Sequence, residues 1–396
     1  MRGGDRISDL PDSILHHIFS FLNIGYAVRA SILSKRWRNF WKSLSYLNFI
    51  DDHQSNVDFV DRVNKVIILR EKLDILRFRV DSEDRAVARH IYSWILAAIQ
   101  SNVREIDLNV VALCKLPGYL FSCKTLTVLK VAFDHCEHKL PLSSSGPPNL
   151  KVLHLKACRL PSAEITSKFI SGCFSLEYLE LDYIELESGK KYLISNAKLE
   201  SLVIRNPYIF ADDSNCKFEI CAANLKAFTC LVVMETEILF EPLPLLNFAD
   251  IDIEIENFGL RPWSASDLAE DDKRVYLRQV ARLLDVVRNV ESLILSVRMF
   301  EGMISSAKVG EGQWLLEQCT FPNLKVLEIN RVIGCMNELK LLETVLKSAT
   351  ALEKIVIWTL CGIIGMKYDT KDWRINFGKI LTTIPQASSN VHILFF

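Results

Sequence analysis

The sequence predicts an α/β chain in which a small all-helical module, residues 4–43, precedes an irregular solenoid with parallel strands on its concave face. Three observations lead there. An apolar triplet recurs at a nearly fixed interval through most of the chain. Residues 8–42 lack that triplet and carry helical spacing instead. The 396 residues are 49% hydrophobic and 24% charged, values of a folded protein and too apolar for a disordered one.

The charge balance and the cysteines bound the function. Forty-seven Lys+Arg against 48 Asp+Glu leave a formal charge of −1, which argues against a bulk electrostatic grip on nucleic acid or on an anionic membrane. Eleven cysteines spread from Cys114 to Cys361 without a C-x-x-C pair, and no N-x-[ST] sequon occurs. That usage fits a reducing compartment, nucleus or cytoplasm, better than a secreted disulfide scaffold. The opening MRGGDRISDLPD lacks the apolar core of a signal peptide. The apolar window from Ile355 to Met366, interrupted by Gly362 and Gly365, is shorter than the ~20 residues of a spanning helix.

In the front module, Ser8 or Asp9 is placed to cap a helix with Pro11 in its first turn, and Ile14, Leu15, Ile18, Phe19 and Leu22 share one side of it. Gly25 punctuates. A second helix carries Val28, Ile32 and Leu33; a third opens near Ser34 with Trp37 and Phe40 or Trp41. Three such short helices are too small to bury a core alone. The module therefore docks on the rest of the chain or offers its apolar side to a partner.

The triplet is an apolar residue, a second three positions later and a third two further on. Clear copies are Leu126-Leu129-Val131, Leu150-Leu153-Leu155, Leu176-Leu179-Leu181, Leu199-Leu202-Ile204 and Leu324-Leu327-Ile329. Copies also begin at Leu44, Leu73, Val103, Leu225, Phe248, Val290 and Leu352, and at Val391 as Val391-Leu394-Phe396. From Val103 to Phe248 the first positions are 23, 24, 26, 23, 26 and 23 residues apart, within the range of leucine-rich repeats. The last two residues of each copy, two apart, face one side of a short strand. Convex-side helices fit at Ala163 to Ile170 and Tyr192 to Ser195. One repeat cannot bury its apolar side; stacking builds the continuous core.

After Phe248 the intervals lengthen to 42, 34, 28 and 39. Helical spacing predicts one helix over Asp267 to Val287, with Asp267, Glu270, Asp271 and Asp272 at its start, and another from about Asn337 to Ser348. The expected organisation is a helical module at 4–43, a leucine-rich-repeat solenoid at 44–256, a helical insertion and modified repeat at 257–318, and C-terminal repeats with a cap at 319–396.

The run Leu10-Pro11-Asp12-x-Ile14-Leu15-x-x-Ile18-Phe19-Ser20-x-Leu22, followed by Ser31-x-Leu33-Ser34-Lys35-Arg36-Trp37-Arg38, resembles an F-box. As a whole the chain resembles plant F-box/LRR proteins with a C-terminal FBD-like region. Phe321 to Ile329, Ser348 to Ile357 and the terminal Pro385-x-Ala387-Ser388-Ser389 carry that last likeness. Ile24-Gly25-Tyr26-Ala27 stands where many members have a Lys-Asp or Lys-Glu pair. The resemblance implies the substrate-recognition subunit of an SCF-type ubiquitin ligase: a Skp-type adaptor bound at the F-box, cullin and RING subunits reached through it, and an unknown target protein held by the repeats. It places adaptor binding on Leu10, Pro11, Ile14, Leu15, Ile18, Phe19, Leu22, Leu33, Ser34 and Trp37, divided between adaptor contact and the module's own core, with Trp37 the strongest candidate for the core. The competing reading is a repeat scaffold, independent of ubiquitination, whose front helices only cap the solenoid.

Catalytic chemistry finds little support. No G-x-S-x-G, P-loop, G-x-G-x-x-G or H-E-x-x-H is present, and no motif calls for a cofactor or a metal. Asp134-His135-Cys136-Glu137-His138 places its ligands too close together to close a tetrahedral site and reads as a solvated loop. Lys35-Arg36-Trp37-Arg38 with Trp41 and Lys42 imitates a nucleic-acid patch but has no basic counterpart downstream. The residues beside the strand leucines should face solvent and meet the target: Arg77, Arg79, Lys130, His154, Lys156, Glu180, Asp182, Arg205, Asp252, Glu254 and Trp358. Their order, cations early and acids from Glu180 onward, suggests a dipolar surface with Trp358 as an aromatic anchor, against the plainer alternative of a solvated strand face.

Overall fold

The computed structural model describes residues 10–51, 59–111, 115–135, 139–142, 145–209, 216–233, 236–254, 270–296, 320–332, 336–359, 377–381, 383–385, 387–388 and 391–396. Contacts divide the chain into two units, Met1–Glu187 and Ser188–Phe396.

In the first unit Pro11 precedes helix α1 (Asp12–Ser20), and Asn23 caps α2 (Ile24–Ala30) by accepting the Gly25 N–H at 3.0 Å. The third helix expected near Ser34 is instead a run of turns. Trp37 N–H reaches Ser34 O and Phe40 N–H reaches Trp37 O, each at 3.1 Å, and the run ends in the single 3-10 turn Phe40–Ser43. Six strands follow: β1 (Tyr46–Ile50), β2 (Arg77–Ser82), β3 (Glu105–Val110), β4 (Val128–Phe133), β5 (Val152–Lys156) and β6 (Tyr178–Asp182). They form one parallel sheet in chain order. Helices α3 (Phe59–Leu69), α4 (Ile91–Gln100) and α5 (Ala163–Gly172) lie in the crossovers, and Glu185–Leu186 forms the short β7. Only α5 had a counterpart in the sequence reading.

The repeat is visible as burial of period two. Leu47 and Phe49, Ile106 and Leu108, Leu129 and Val131, Leu153 and Leu155, and Leu179 and Leu181 are all buried on one side of the sheet. The second copy needs correction: Ile75, Phe78 and Val80 are buried while Leu73 is exposed, so the triplet starts two residues later than expected. A shift of two preserves the face, and Arg77 and Arg79 stay outward.

A polar tie between repeats had no counterpart in the apolar pattern. The residue just before the first apolar position donates its side chain to a carbonyl of the previous repeat: Thr125 to Val103 O at 2.7 Å, Asn149 to Lys124 O at 2.8 Å, and, in the second unit, Asn224 to Ala197 O at 2.6 Å. These side chains satisfy carbonyls that the turns would otherwise leave without a donor.

The second unit comprises β8 (Lys191–Ser195), β9 (Ser201–Arg205), β10 (Tyr208–Ile209), β11 (Cys216–Cys221), β12 (Ala227–Val233), β13 (Thr236–Phe240), β14 (Phe248–Glu254), α6 (Glu270–Val286), β15 (Ser292–Ser296), β16 (Val326–Val332), α7 (Met336–Ser348), β17 (Lys354–Thr359) and β18 (His392–Phe395). Strands β9, β12, β14, β15, β16, β17 and β18 are neighbours in that order and parallel. A separate parallel sheet runs β8-β11-β13. The helix expected at Tyr192–Ser195 is strand β8 instead: Tyr192 and Ile194 alternate inward with Lys191, Leu193 and Ser195, a period of two that a helix cannot use. Helices α6 and α7 match the two read from the sequence; Asp267 and most of the expected 257–318 insertion lie outside the described residues.

The final triplet is slipped by one. Ile393 and Phe395 stand opposite Ile355 and Ile357, whereas Leu394 and Phe396 are exposed on the other side. A one-residue slip reverses the face of every side chain.

Candidate functional site

Two surfaces answer to the residues picked out above. On the front module, α1 carries two adjoining apolar stripes. Leu15 and Phe19 point inward; Phe19 meets Trp37 edge-on at 5.8 Å and Phe40 at 5.2 Å, and Trp37 is buried as well. These three are buried and belong to the module's own core, Trp37 as expected. Pro11, Ile14, Ile18 and Phe21, spaced 3, 4 and 3 apart, form the outer stripe; Ile14 is 47% and Ile18 40% exposed. Leu33, at 76%, and its neighbour Ile32 are more exposed still, while Leu10, Leu22 and Ser34 are half-buried.

The departure at Ile24-Gly25-Tyr26-Ala27 has a structural reason. Ile24, Gly25 and Ala27 are buried, and Asn23 Nδ2 donates to Ile50 O of β1 at 2.8 Å. A Cβ on Gly25 would come within 3.3 Å of the Arg62 guanidinium. This segment seats α2 against β1 of the chain's own sheet, with Tyr26 left exposed. The nucleic-acid imitation dissolves too: Trp37 and Trp41 are buried and Arg36 pairs with Asp12.

The second surface is the outer side of the sheets, which differs between the units. In the first, one cross-strand row reads Asn48, Arg79, Asp107, Lys130, His154, Glu180, and the next reads Ile50, Asp81, Asn109, Ala132, Lys156, Asp182. Arg77 lies 3.3 Å from Asp107 and 3.8 Å from Glu105; Arg79 lies 2.9 Å from Asp81 and 3.7 Å from Asp107. His154 and Lys156 each stand 3.7 Å from the next strand's acid, Glu180 and Asp182. Arg77 and Arg79 are thus neutralised by Asp81, Glu105 and Asp107, so the early strands carry cross-strand pairs rather than a cationic field. Burial lowers the His154 pKa; Glu180 opposes that and Lys130 adds to it.

In the second unit one row reads Val203, Thr229, Asp250, Ile294, Glu328, Val356, Leu394. Beside it Arg205, Leu231 and Asp252 are aligned, as are Ser296 and Asn330. A cavity of about 440 Å³ opens over Arg205, Thr229, Asp250, Asp252, Ser296 and Asn330 and is walled by Trp358 and Arg331. Three residues expected to meet a target, Arg205, Asp252 and Trp358, line it together; of Glu254 only the strand position is described. Arg331 Nη1 stands 3.4 Å from Asp252 Oδ2. Trp358 stacks on Phe396 at 4.6 Å with 25° between the rings. Burial raises the Asp250 carboxyl, with Arg205 opposing and Glu328 reinforcing the shift.

Two charged cavity residues, Asp250 and Arg331, were not among the positions expected to face outward. Asp250 precedes the first strand apolar residue, Ile251, and only positions between and after the strand pair had been taken as outward. Arg331 sits at φ 65° where the β16–β17 register shifts, so a local irregularity carries its side chain to Asp252.

Three of the described thiols are poor nucleophiles. Burial pushes Cys173 and Cys216 up to about 12, and burial with nearby Glu241 pushes Cys221 up to about 11, so they are protonated at neutral pH. Among the described residues no group of three His, Cys, Asp or Glu could hold a metal, and no helix is long and apolar enough to cross a membrane. Cys136, Glu137 and His138 lie outside the described residues.

Comparison with known proteins bears on both surfaces. Residues 7–49 match the F-box domain, and residues 91–233 match the leucine-rich repeats described for FBD-associated F-box protein At5g56370. The chain is 33% identical over 183 residues to F-box/FBD/LRR-repeat protein At1g13570 of Arabidopsis thaliana, covering 44% of this chain and 43% of that one. It is 31% identical over 186 residues to F-box/LRR-repeat protein At4g14103 of the same plant, covering 44% and 49%. With F-box protein At1g60400, also from that plant, identity is 25% over 329 residues, covering 79% and 80%. Three further Arabidopsis relatives are covered over 37%, 65% and 54% of their lengths, so the chain spans about half the length of many curated relatives it matches.

Proposed function

With an F-box joined to leucine-rich repeats of the FBD-associated kind as its premise, we propose that the chain is the substrate-recognition subunit of an SCF-type ubiquitin ligase. F-box domains in general bind Skp-type adaptors. The observation that carries the reading is the outer stripe of α1: Pro11, Ile14, Ile18 and Phe21, with Ile32 and Leu33, expose apolar surface on a module whose own core is already filled by Leu15, Phe19 and Trp37. Apolar surface left over after a core is complete marks a docking site. Cullin and RING subunits are reached through the adaptor, and the outer side of the repeats holds a target protein. The division 4–43, 44–256, 257–318 and 319–396 is kept as the functional one. The chain does no covalent chemistry in this reading; it raises the concentration of target lysines near the conjugating enzyme. Nucleus or cytoplasm, with their reducing conditions, suit its many thiols.

A second reading, a scaffold outside ubiquitination, draws on Asn23 and the buried Ile24 and Ala27, which show the same helices covering β1. Co-purification with a Skp adaptor separates the two. Ile18→Asp with Leu33→Asp, both at exposed positions, should weaken adaptor capture by about 100-fold, the scale of an interface hot spot, with an unchanged circular dichroism spectrum. Leu15→Asp, at a fully buried position, should unfold the module instead. Failure of the unaltered chain to bind any adaptor would leave the scaffold.

A further inference from the structure

Charge is divided unevenly between the front module and the rest of the chain. Residues 10–43 hold five Lys or Arg and a single acid, Asp12, in a chain whose formal charge is −1, so the remainder is net acidic. Arg36 takes Asp12. Among the described residues Arg29, Lys35, Arg38 and Lys42 make no ion pair with a carboxylate. The module therefore carries positive charge that the fold does not neutralise.

Where these cations stand is a separate observation. Trp37, Trp41 and Leu44, spaced four and three apart, turn inward and are buried. Lys35, Arg38 and Lys42, spaced three and four, fall on the outward side of the same run. Lys35 and Arg38 are exposed; Lys42 is half-buried, its ammonium 5.8 Å from the Trp41 ring. Immediately before them come the module's most exposed apolar side chains, Leu33 and Ile32, the latter 86% exposed. Arg29, one turn earlier, lies over the exposed Tyr26 ring at 5.7 Å. An apolar pair is thus bracketed by unpaired cations.

We propose that the adaptor segment seated over Ile32 and Leu33 is acidic, its carboxylates meeting Lys35, Arg38 and Lys42, so that charge steers the capture of the adaptor. The inference rests on the receptor reading above and specifies the partner surface that this module fits. Charge complementarity selects the occupant: a basic segment would be repelled, and a neutral one would leave the cations at the rim without partners. Nucleic acid fits less well, because the indoles of Trp37 and Trp41 are buried where no base can stack and phosphates leave Ile32 and Leu33 uncovered. The two kinds of residue divide the work. Rim cations raise the rate of encounter, and the apolar pair, once desolvated, slows escape.

The test immobilises the full chain and follows binding of a purified Skp adaptor by biolayer interferometry between 50 mM and 500 mM salt. The association rate should fall about tenfold across that range. Lys35→Gln, Arg38→Gln and Lys42→Gln together should slow association at 50 mM salt about tenfold, flatten its salt dependence and leave dissociation nearly unchanged. Leu33→Ala should do the reverse, speeding dissociation with the salt dependence intact. Circular dichroism confirms that each variant keeps its fold. Association indifferent to salt, or equally fast in the triple variant, would overturn the proposal. So would an oligothymidylate strand that binds saturably at 150 mM salt and is lost in the triple variant, since the surface would then serve nucleic acid. If no adaptor binds the unaltered chain, the receptor reading falls. The cations are then tested with a fluorescein-labelled Glu-Glu-Leu-Leu-Glu-Glu-Leu-Glu peptide: saturable binding lost in the triple variant keeps the acidic partner, and no binding removes it too.

Discussion

The outer sides of the two units are built on the same leucine ladder and do opposite things with charge. In the first, Arg77, Arg79 and Lys156 each have an acid within 4 Å on their own or the neighbouring strand, and His154, whose pKa burial lowers, stands 3.7 Å from Glu180. In the second, Asp250 and Glu328 share a row without a cation between them, and Ser296 keeps a buried hydroxyl without a partner. Cross-strand pairing is set by register alone, because facing residues on adjacent strands are the ones close enough to interact. Where the register brings opposite signs together, the surface is finished. Where it sets a carboxylate opposite neutral residues, as Asp250 opposite Thr229 and Ile294, the charge is left to more distant groups, with Arg205 opposing and Glu328 reinforcing the rise that burial causes.

The comparison requires the inner sides to be equivalent, and that is where the largest effects lie. Leu153 in the first unit and Leu327 in the second occupy the same repeat position, both essentially inaccessible to solvent and flanked by apolar partners on each side. Leu153→Ala and Leu327→Ala should each cost about 3 kcal/mol, the transfer of the lost methyl groups plus the cavity they leave. Urea denaturation followed by tryptophan fluorescence would measure both. A cost in one unit several times that in the other would mean that the ladders differ inside as well as outside.

The next effect is smaller and belongs to the first unit. Asp107 serves two guanidiniums, Arg77 at 3.3 Å and Arg79 at 3.7 Å. Asp107→Asn leaves both beside Asp81 and Glu105 only, and should cost about 1 kcal/mol, the upper end for partly exposed pairs, because one carboxylate anchors a small network. The loss should shrink between 50 mM and 500 mM salt as the charges are screened. A change independent of salt would show that packing, rather than pairing, holds this face.

Much of this contrast was legible in the sequence, and the parts that were not have physical reasons. The strands read correctly wherever apolar and polar residues alternate, as in Val128–Phe133 with Leu129, Val131 and Phe133 inward. They slipped in β18, where Val391, Ile393, Leu394, Phe395 and Phe396 make both faces apolar and only pairing with β17 decides. Helix α4, IYSWILAAIQ, buries Ile91, Trp94, Ile95 and Ala98 at helical spacing, but Leu96, Ala97 and Ile99 are apolar as well and blur the stripe. The front module's stripe was readable from spacing, but its division into Leu15 and Phe19 inside and Ile14 and Ile18 outside needed the sheet against which α2 and β1 meet. The ion pairs of the first unit were half hidden because Asp81 and Glu105 lie outside the positions between and after the strand leucines. Asp250 was passed over for the same reason. Arg331 depends on a backbone irregularity that no local pattern announces.

The smallest effect is the one with the opposite sign. Burial, reinforced by Glu328, raises the Asp250 carboxyl above its ordinary value of 3.8. A carboxyl whose pKa is higher folded than unfolded binds its proton more tightly in the native state, so its ionisation works against folding. Below 3.8 both states are protonated and Asp250 contributes nothing; as pH rises from 3.8 through the raised value, stability is lost, and above it the whole penalty is present. Asp250→Asn removes that penalty and should raise the unfolding midpoint at pH 7, by well under 1 kcal/mol because solvent reaches part of the group. At pH 3 the variant and the unaltered chain should unfold together. Asp107→Asn destabilising while Asp250→Asn stabilises, in one assay at one pH, is the signature of a paired face beside an unfinished one. If Asp250→Asn destabilised the chain at pH 7, Asp250 would already be paired within the fold, and the second unit's outer side would be as self-contained as the first's.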